Sequence, residues 1–450
     1  MTVSDPSVQR VPGARQRTHS VDRAFLRLQS RHPDLRWDGG GVAYLSGPPP
    51  SLAELRAHVG LRLGRLPMLR SRLEGAPGRS WWCPDPDFDV DRHVHEVVAD
   101  GPAGWERALD TARNAPFAPG TYWSMWLVHG HAPDAYAVCY RFHHACQDGA
   151  AAALTFRVML GAGEPSARPV PSPYRRFGRP RRVATALGLA VRTLGGALLT
   201  RGRGPTVPFV PSGDRALGRG RAPVGTLRRI GAARGGSAHD AHLAALAGAL
   251  SAWSARTGVA LPRMSALLPV DVRRPDEEQG WGNRVFALPL DLPVNVPAAS
   301  ATERTEDPPD GGAPLRRLER VTAVTGRMRT GRWRQAVQDL VRFMPDRPTE
   351  WCLRLAFSRR VTDLLATSMP LARKGGLGAA TVTGTALLPP LAPGHLCSVG
   401  LSFFGDWAEV AFVTDRALPL AESLPGLWEQ AVDELERAVD GTGDACAAPH

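Results

Sequence analysis

The chain has 450 residues, of which 43% are hydrophobic, and a formal net charge of +12 that is carried almost wholly by arginine, since Lys374 is the only lysine. The hydrophobic content is typical of a soluble globular protein, and the length predicts two domains of roughly 200 residues each. A helix needs about 18 consecutive apolar residues to span a bilayer, and no apolar run in the sequence is that long. The arginines are scattered and no nucleic-acid-binding signature is present, so we expect no nucleic-acid partner.

The predicted organisation follows the distribution of breakers along the chain. Residues 1–19 are polar and are predicted to form a disordered tail. Residues 20–163 alternate helical and strand patterns and form a first lobe, whereas residues 164–223 are rich in Pro, Arg and Gly and predict a linker. A second lobe is predicted over residues 224–440, and residues 441–450 form a tail.

One apolar stretch, residues 183–199, interrupts the predicted linker. It is interpreted either as an amphipathic helix on a membrane surface or, as we prefer, as a helix packed on the protein itself. The N-terminus has no apolar core segment and therefore does not resemble a secretory signal. The six cysteines show no paired spacing, which argues against a zinc site or a disulfide framework. We expect a cytoplasmic protein, with peripheral contact with the inner membrane or a lipid surface as an open alternative.

The strongest chemical signal lies at residues 141–149, between a predicted strand and a predicted helix. The apolar run at 135–142 predicts the buried strand, and residues 150–160 predict the helix. A side chain at such a junction can project from a rigid edge into a cleft. This short segment therefore carries the main candidates for a functional site.

The segment contains two adjacent histidines, His143 and His144, followed by Asp148 and Gly149. A histidine can accept a proton at neutral pH and is the commonest general base. Taken alone, however, tandem histidines are often of no chemical interest, and Asp148 before a helix is equally consistent with an ordinary N-cap. The nine residues by themselves leave the two interpretations evenly matched.

The second lobe is predicted to begin with a helix that Ser237 and Asp240 introduce as a capping box. The elements expected after it are strands at 264–270 and 284–290, a mobile loop at 297–313, helices at 321–344 and 350–365, strands at 379–388 and 396–413, and a last amphipathic helix at 423–439. Two mixed units joined by a linker produce a cleft, and such clefts commonly bind ligands.

The tandem histidines with Asp148 and Gly149 resemble the HHxxxDG signature of the coenzyme-A-dependent acyltransferase superfamily, which includes peptide-synthetase condensation domains. Further segments are similar, in the same order, to bacterial wax ester synthase/diacylglycerol acyltransferases: residues 22–25, 65–67, 85–89, 93–94, 237–250, 268–273, 282–285 and 290–293. The resemblance implies an α/β (α+β) protein of two chloramphenicol-acetyltransferase-like lobes, each a mixed sheet covered by helices, with a cleft or tunnel between them.

The resemblance also implies roles for individual residues. His144 is expected to be the general base, and Asp148 an orienting carboxylate paired with Arg273. We expect His143 to hold the loop in shape and Gly149 to permit a tight turn and present its backbone N–H to an oxyanion. Asn283, at a strand start, is expected either to shape the channel or to cap a turn.

The reaction implied is direct acyl transfer from acyl-CoA to a hydroxyl group, without an acyl-enzyme, a metal or a cofactor. Departures from the family pattern occur at Ala118, at residues 121–123, at His239 and at residues 368–371. They leave open a second interpretation, an ester- or amide-forming condensation enzyme of a specialised-metabolite pathway that uses an acyl carrier protein thioester and a hydroxyl or amine acceptor. A non-catalytic scaffold is the third, which the intact signature disfavours.

Other candidates carry weaker signals. His239 and His242 share a helix face but lack a third ligand at matching spacing, so a metal site is not expected. Cys146 is predicted to be a buried, inert thiol rather than a nucleophile. The tryptophans Trp123, Trp126 and Trp281 are expected to pack in the core rather than to line an acyl tunnel.

Overall fold

The computed structural model describes residues 15–32, 36–76, 78–161, 188, 212–273, 281–294, 312–330, 333–372 and 374–446. Apart from Gly188, the apolar stretch predicted at 183–199 lies outside these residues, as does the predicted mobile loop up to residue 311. None of the helices within the described ranges is long and apolar enough to cross a bilayer.

The first half of the chain contains four helices and seven strands in its described part. They are β1 (Gln16–Arg17), α1 (Ser20–Arg31), β2 (Asp38–Ser46), α2 (Leu52–Arg62), β3 (Ser71–Glu74), β4 (Trp81–Pro84), β5 (Val94–Val98), α3 (Trp105–Asn114), β6 (Trp123–Ala132), β7 (Ala135–His143) and α4 (Gly149–Met159). The strand and helix predicted around the histidine pair are confirmed as β7 and α4.

The second half adds eight strands and six helices among the described residues. They are β8 (Arg215–Pro223), α5 (Val224–Ala232), α6 (Ala238–Thr257), β9 (Met264–Asp271), β10 (Val285–Leu292), α7 (Gly312–Thr330), α8 (Trp333–Phe343), α9 (Asp346–Ala356), β11 (Leu364–Ala372), β12 (Gly376–Leu377), β13 (Ala380–Leu388), β14 (Cys397–Phe404), β15 (Trp407–Asp415) and α10 (Leu424–Cys446).

Two six-stranded mixed sheets form the framework of the lobes. The first has the order β12-β13-β2-β7-β6-β5 and the second the order β10-β9-β11-β14-β15-β8, while β1, β4 and β3 form a small third sheet. Strand β7 lies inside the first sheet between β2 and β6, which explains its continuous apolar sequence. Its end delivers the histidine pair to the boundary between the lobes.

Helix α6 forms the centre of the second lobe. Its capping box is confirmed, because the Ser237 side chain accepts a hydrogen bond from the Asp240 N–H and the Asp240 carboxylate accepts one from the Ser237 N–H. The residues from Asp240 to Leu250 are buried around the whole circumference of the helix. The many alanines allow this, because their small side chains let neighbouring helices approach closely.

The predicted domain boundaries are wrong in three places. Residues 16–19 of the predicted tail include strand β1, which pairs with β4. Residues 215–223 of the predicted linker form β8, which pairs with β15 along its full length. Residues 376–388 lie in the second half of the chain, yet β12 and β13 complete the first sheet through pairing with β2. In each case the decisive interaction is a backbone ladder between distant segments, which composition does not encode.

Two further differences concern helix ends. The helix predicted at 350–365 ends at Ala356, and residues 364–372 form strand β11 at the centre of the second sheet, between β9 and β14. The last helix continues to Cys446, beyond the predicted end of the lobe at residue 440. Buried strands and buried helix segments have similar apolar compositions, so periodicity alone did not separate them.

A buried cluster of charges joins the lobes behind the histidine pair. Asp38 on β2 accepts hydrogen bonds from Arg141 at 2.6 Å and from Arg215 of the second lobe at 3.3 Å, and Arg36 lies 3.5 Å away. Burial by itself would raise the pKa of Asp38, but the three guanidinium groups lower it to about 2. Asp38 therefore stays ionised and holds β8 against the first sheet.

Candidate active site

The histidine pair stands at the end of β7, beside a cavity of about 520 Å³ between the two lobes. Most of the cavity wall is apolar. The first lobe contributes Phe25, Tyr140, Phe142, His144, Gly149 and Phe156, and the second contributes Leu267, Pro269, Phe286, Cys352, Leu355, Thr367 and Met369, among others. A polar reactive group at the edge of an apolar cavity is the arrangement expected for an enzyme that handles apolar substrates.

The position of His144 is fixed by hydrogen bonds and by contacts with aromatic rings. Its backbone N–H donates to the Trp37 carbonyl at 2.8 Å, and its imidazole stacks on Phe25 with ring centroids 4.8 Å apart. The Phe142 ring meets it edge-on at 5.7 Å. The Nδ1 atom lies 3.3 Å from Asn283 Oδ1, and no described residue forms a hydrogen bond with Nε2.

The contacts of Asn283 determine which ring nitrogen of His144 carries the proton. Asn283 Nδ2 donates to Asp22 Oδ1 at 2.8 Å and to the His144 carbonyl at 2.6 Å, and both of these atoms are acceptors. The amide oxygen must therefore face His144 and accept from Nδ1–H. In the neutral imidazole, Nε2 then keeps its lone pair and is able to take a proton.

Burial determines the charge of the imidazole. Removal from water lowers the pKa of His144 below its usual value of 6.5, and the hydrogen bond to Asn283 and the negative charge of Asp148 oppose this only in part. His144 is therefore neutral at neutral pH. A neutral imidazole with a free Nε2 is the form that acts as a base.

His143 has a different environment from its neighbour. Its side chain is buried, and Nδ1 accepts a hydrogen bond from the Ala145 N–H at 3.0 Å. Burial lowers the pKa of His143 to about 4. It does not border the cavity, and its contact with the following backbone fits the predicted role of holding the loop in shape.

The predicted pair of Asp148 and Arg273 is present. Arg273 Nη1 lies 2.7 Å and 2.8 Å from the two carboxylate oxygens of Asp148, and both side chains are almost fully buried. The same carboxylate accepts hydrogen bonds from the N–H groups of Ala151, at the start of α4, and Arg284. Asp148 is thus both the N-cap of α4 and a link between the lobes.

Gly149 does not form the tight turn that was predicted, and its lack of a side chain instead gives space to a neighbour. Its φ is not in the positive range that favours glycine, so no special turn depends on it. A Cβ at this position would instead lie 1.9 Å from the terminal methyl group of Met369. Glycine therefore leaves space for Met369 beside the first turn of α4, where both residues border the cavity.

The weaker candidates behave as ordinary structural residues. Cys146 is buried, burial raises its pKa well above the usual value, and its Sγ donates to the carbonyls of Tyr122 and His143. Within the described part of the chain, no three His, Cys, Asp or Glu side chains are placed to hold a metal ion. The His242 Nδ1 accepts a hydrogen bond from Trp428 instead.

The tryptophans also differ in their surroundings. Trp123 is fully buried and its indole N–H donates to the Leu69 carbonyl at 2.8 Å, whereas Trp281 packs against Trp82. Neither of them borders the large cavity, and nor does Trp126. Core packing, the interpretation preferred from the sequence, fits these positions.

Two residues of the site, Asp22 and Phe25, were not predicted. Both lie on α1, more than a hundred residues from the histidine pair. Asp22 accepts hydrogen bonds from the backbone N–H groups of His19 and Asn283 as well as from the Asn283 side chain. The only signal was that residues 22–25 belonged to the family resemblance, since their helical pattern by itself indicates no more than an amphipathic helix.

Comparison with solved structures identifies the class of fold. The wax ester synthase/diacylglycerol acyltransferase of Marinobacter aquaeolei VT8 superposes with a TM-score of 0.63 at 16% identity, covering 94% of this chain and 100% of that one. A variant of the starter condensation domain of rhizomide synthetase, solved with C8-CoA, gives 0.63 at 16% identity, with 95% of each chain covered. The fold is therefore the two-lobed, chloramphenicol-acetyltransferase-like fold, as predicted.

Sequence comparison finds similarity to the same family as the motifs do. Residues 19–203 match the model of the wax ester synthase/diacylglycerol acyltransferase catalytic domain. A Mycobacterium tuberculosis protein whose name assigns it to the diacylglycerol O-acyltransferases is 29% identical over 258 residues, which are 48% of this chain and 52% of the relative. The chain spans about half the length of the curated relatives it matches. These matches confirm the resemblance to the wax ester synthase/diacylglycerol acyltransferase family.

Replacing the buried carboxylate of Asp148 should destabilise the protein and also lower its reaction rate. We expect Asp148→Asn to lower the free energy of unfolding by about 3 kcal/mol or more, because Arg273 loses its nearest and buried carboxylate and keeps only the more exposed Asp271, at 3.3 Å. Soluble yield and rate should both fall. Urea unfolding measures the change, and Asp291→Asn, which breaks the exposed pair with Arg263, serves as the control and should cost less than about 1 kcal/mol. Wild-type stability in Asp148→Asn would contradict this account.

Replacing Asn283 tests how the base is positioned. Asn283→Ala removes the acceptor for His144 Nδ1–H, so we expect turnover to fall at least about tenfold. The same hydrogen bond raises the pKa of His144, so its loss should move the acidic limb of the pH–rate profile to lower pH. A purely structural role for Asn283 would reduce the rate without moving that limb.

Proposed function

We propose that the protein transfers an acyl group from a coenzyme A thioester to a hydroxyl group, with His144 as the general base. One observation carries the proposal: the neutral imidazole of His144 has its Nδ1 proton bound by Asn283 and its Nε2 free at the edge of an apolar cavity. The match of residues 19–203 to the wax ester synthase/diacylglycerol acyltransferase catalytic domain supports a long-chain acyl donor and an alcohol or diacylglycerol acceptor.

The proposed chemistry begins with the acceptor hydroxyl hydrogen-bonded to His144 Nε2. As the oxygen attacks the thioester carbon, Nε2 takes the hydroxyl proton, because an un-ionised alcohol is a poor nucleophile. The C–S bond then breaks, and the imidazolium returns its proton to the departing sulfur. The products are an ester and free coenzyme A, and no acyl-enzyme forms.

The negative charge that develops on the carbonyl oxygen must be stabilised by a hydrogen-bond donor. We assign this role to the backbone N–H of Gly149, which has no described hydrogen-bond partner and begins helix α4 at the cavity. The dipole of a helix favours negative charge at its N-terminus. Because the proton transfers are all made by His144, the proposed reaction needs neither a metal nor a cofactor.

A condensation reaction with a carrier-bound donor or an amine acceptor is the second candidate. The observation in its favour lies at residues 368–371, where the family pattern is replaced and where Met369 and Leu371 border the cavity. Such a change beside the reactive group affects which acyl chain or acceptor fits. It leaves the proposed part played by His144 unchanged.

Turnover assays test the proposal directly. Purified protein with palmitoyl-CoA and either hexadecanol or diacylglycerol should release free thiol and form the ester, as measured by thiol titration and mass spectrometry. His144→Ala should reduce the rate by about 10²–10⁴-fold, because the base is lost. His129→Ala, which removes an imidazole that pairs with Glu96 and does not line the cavity, is the matched control and should retain full activity. Turnover only with carrier-bound donors would support the second candidate.

The pH dependence gives an independent check. Because burial lowers the pKa of His144 below 6.5, more than half of the imidazole is unprotonated at pH 6.5 and the neutral form predominates at neutral pH. We expect kcat/KM to fall towards acidic pH on a limb whose midpoint lies below about 6.5. A midpoint above 6.5 would exclude His144 as the base in this environment.

A further inference from the structure

Helix α9, Asp346–Ala356, presents three distinct faces, and two of them face other described parts of the protein. The first faces the cavity, which Thr349, Cys352 and Ala356 help to line. The second faces α1, where the carboxylates of Asp346 and Glu350 bind a row of arginines. The third face points outward.

The contact with α1 holds α9 firmly in place. Arg23 and Arg27 both bind Asp346, at 2.5 Å and 3.0 Å, and Arg27 also binds Glu350 at 2.7 Å. Arg31 binds Glu350 as well. Both acidic residues of α9 are therefore neutralised on the side that faces α1, and the outward face keeps only positive charge.

The outward face consists of Arg347, Trp351 and Arg354. Positions i, i+4 and i+7 share one side of an α-helix, so these three side chains form a single stripe. All three are exposed, and 53% of the Trp351 surface is accessible. Neither Arg347 nor Arg354 forms an ion pair with any residue in the described ranges.

A second exposed aromatic residue lies at the turn that precedes α9. Phe343, the last residue of α8, has 70% of its surface accessible, and the Arg342 guanidinium lies 5.8 Å from the centre of its ring. The neighbouring residues Val341 and Met344 line the cavity. Residues 341–356 therefore carry exposed aromatic rings and arginines on their outer side and border the cavity on their inner side.

We propose that this surface, which we call the α8–α9 patch and define as Arg342, Phe343, Arg347, Trp351 and Arg354, docks on an anionic lipid surface. Tryptophan and phenylalanine favour the interface between lipid headgroups and acyl chains, where arginine binds lipid phosphates. The inference rests on the proposed function, since the docked patch would place the apolar cavity beside a source of lipid substrates.

The composition of the patch favours a lipid surface over an acidic carrier protein. Phe343 has no polar group to satisfy, so its exposure in water is relieved by burial among acyl chains. The two arginines of α9 lie on either side of Trp351 along the helix, which suits a plane of phosphates around an inserted ring. The overall charge of +12 would add long-range attraction to an anionic surface.

Vesicle sedimentation with the full chain tests the proposal. The protein should bind vesicles made of equal parts phosphatidylcholine and phosphatidylglycerol, and it should bind vesicles of phosphatidylcholine alone much more weakly. The double variant Arg347→Glu/Arg354→Glu should weaken binding to the anionic vesicles at least about tenfold, because two attractive charges become repulsive. Trp351→Ser should weaken binding to the same vesicles without a change of charge.

The control is a double variant with the same change of charge elsewhere. Arg107→Glu/Arg256→Glu alters two exposed arginines on α3 and α6 and should leave vesicle binding close to that of the wild type. If both double variants lost vesicle binding to the same extent, the proposal would be overturned, since net charge alone would then explain binding. It would also be overturned if the α9 variant lost binding to a purified acyl carrier protein but kept binding to vesicles.

Turnover in detergent micelles separates this inference from the proposed function. The α9 double variant should retain wild-type turnover of micellar substrates and a wild-type melting curve, because none of its altered residues contacts the site. Turnover without vesicle binding in the wild type would overturn only the docking surface. Vesicle binding without any turnover would overturn the proposed function while leaving the docking result to stand.

Discussion

The site depends on the way in which one buried carboxylate, that of Asp148, joins the two lobes. It caps α4 through Ala151, pairs with Arg273 and accepts the backbone N–H of Arg284. Two of these partners belong to the second lobe, so the start of α4 cannot move without breaking a buried ion pair. Since Arg284 follows Asn283 in the chain, the same contact places the amide that orients His144. Asp148 thus fixes the geometry around His144 through its contacts with both lobes.

The surroundings of His144 are a compromise between two electrostatic demands. A base that works at neutral pH must be uncharged before it reacts, and burial against Phe25 and Phe142 ensures this by lowering its pKa. In the proposed reaction the imidazolium that forms during transfer must nevertheless be stabilised, and the hydrogen bond to Asn283 and the negative charge of Asp148 both favour it. The apolar wall strengthens both interactions, because charges and dipoles act more strongly when water is excluded.

Helix α1 connects features that are distant in the chain. Through Asp22 it holds the amide of Asn283, through Phe25 it supports the imidazole of His144, and through Arg23 and Arg27 it binds α9. One short helix therefore positions the reactive group and the helix that covers the cavity. This role was not predicted, because an arginine at every fourth position indicates a charged helix face and does not reveal what that face contacts.

The local features of this protein were determined by its sequence. The apolar run before the histidine pair predicted β7, the Ser237–Asp240 pair predicted the start of α6, and the tandem histidines with Asp148 predicted where the site lies. These features depend on neighbours in the chain, whose side chains determine periodicity and capping. Only the tertiary structure decided that β13 completes the first sheet, that Asn283 and Asp22 orient the base, and that Gly149 makes room for Met369. Each of these depends on segments that meet only after folding, because hydrogen bonds and steric contacts act over a few ångströms in space whatever the separation in sequence.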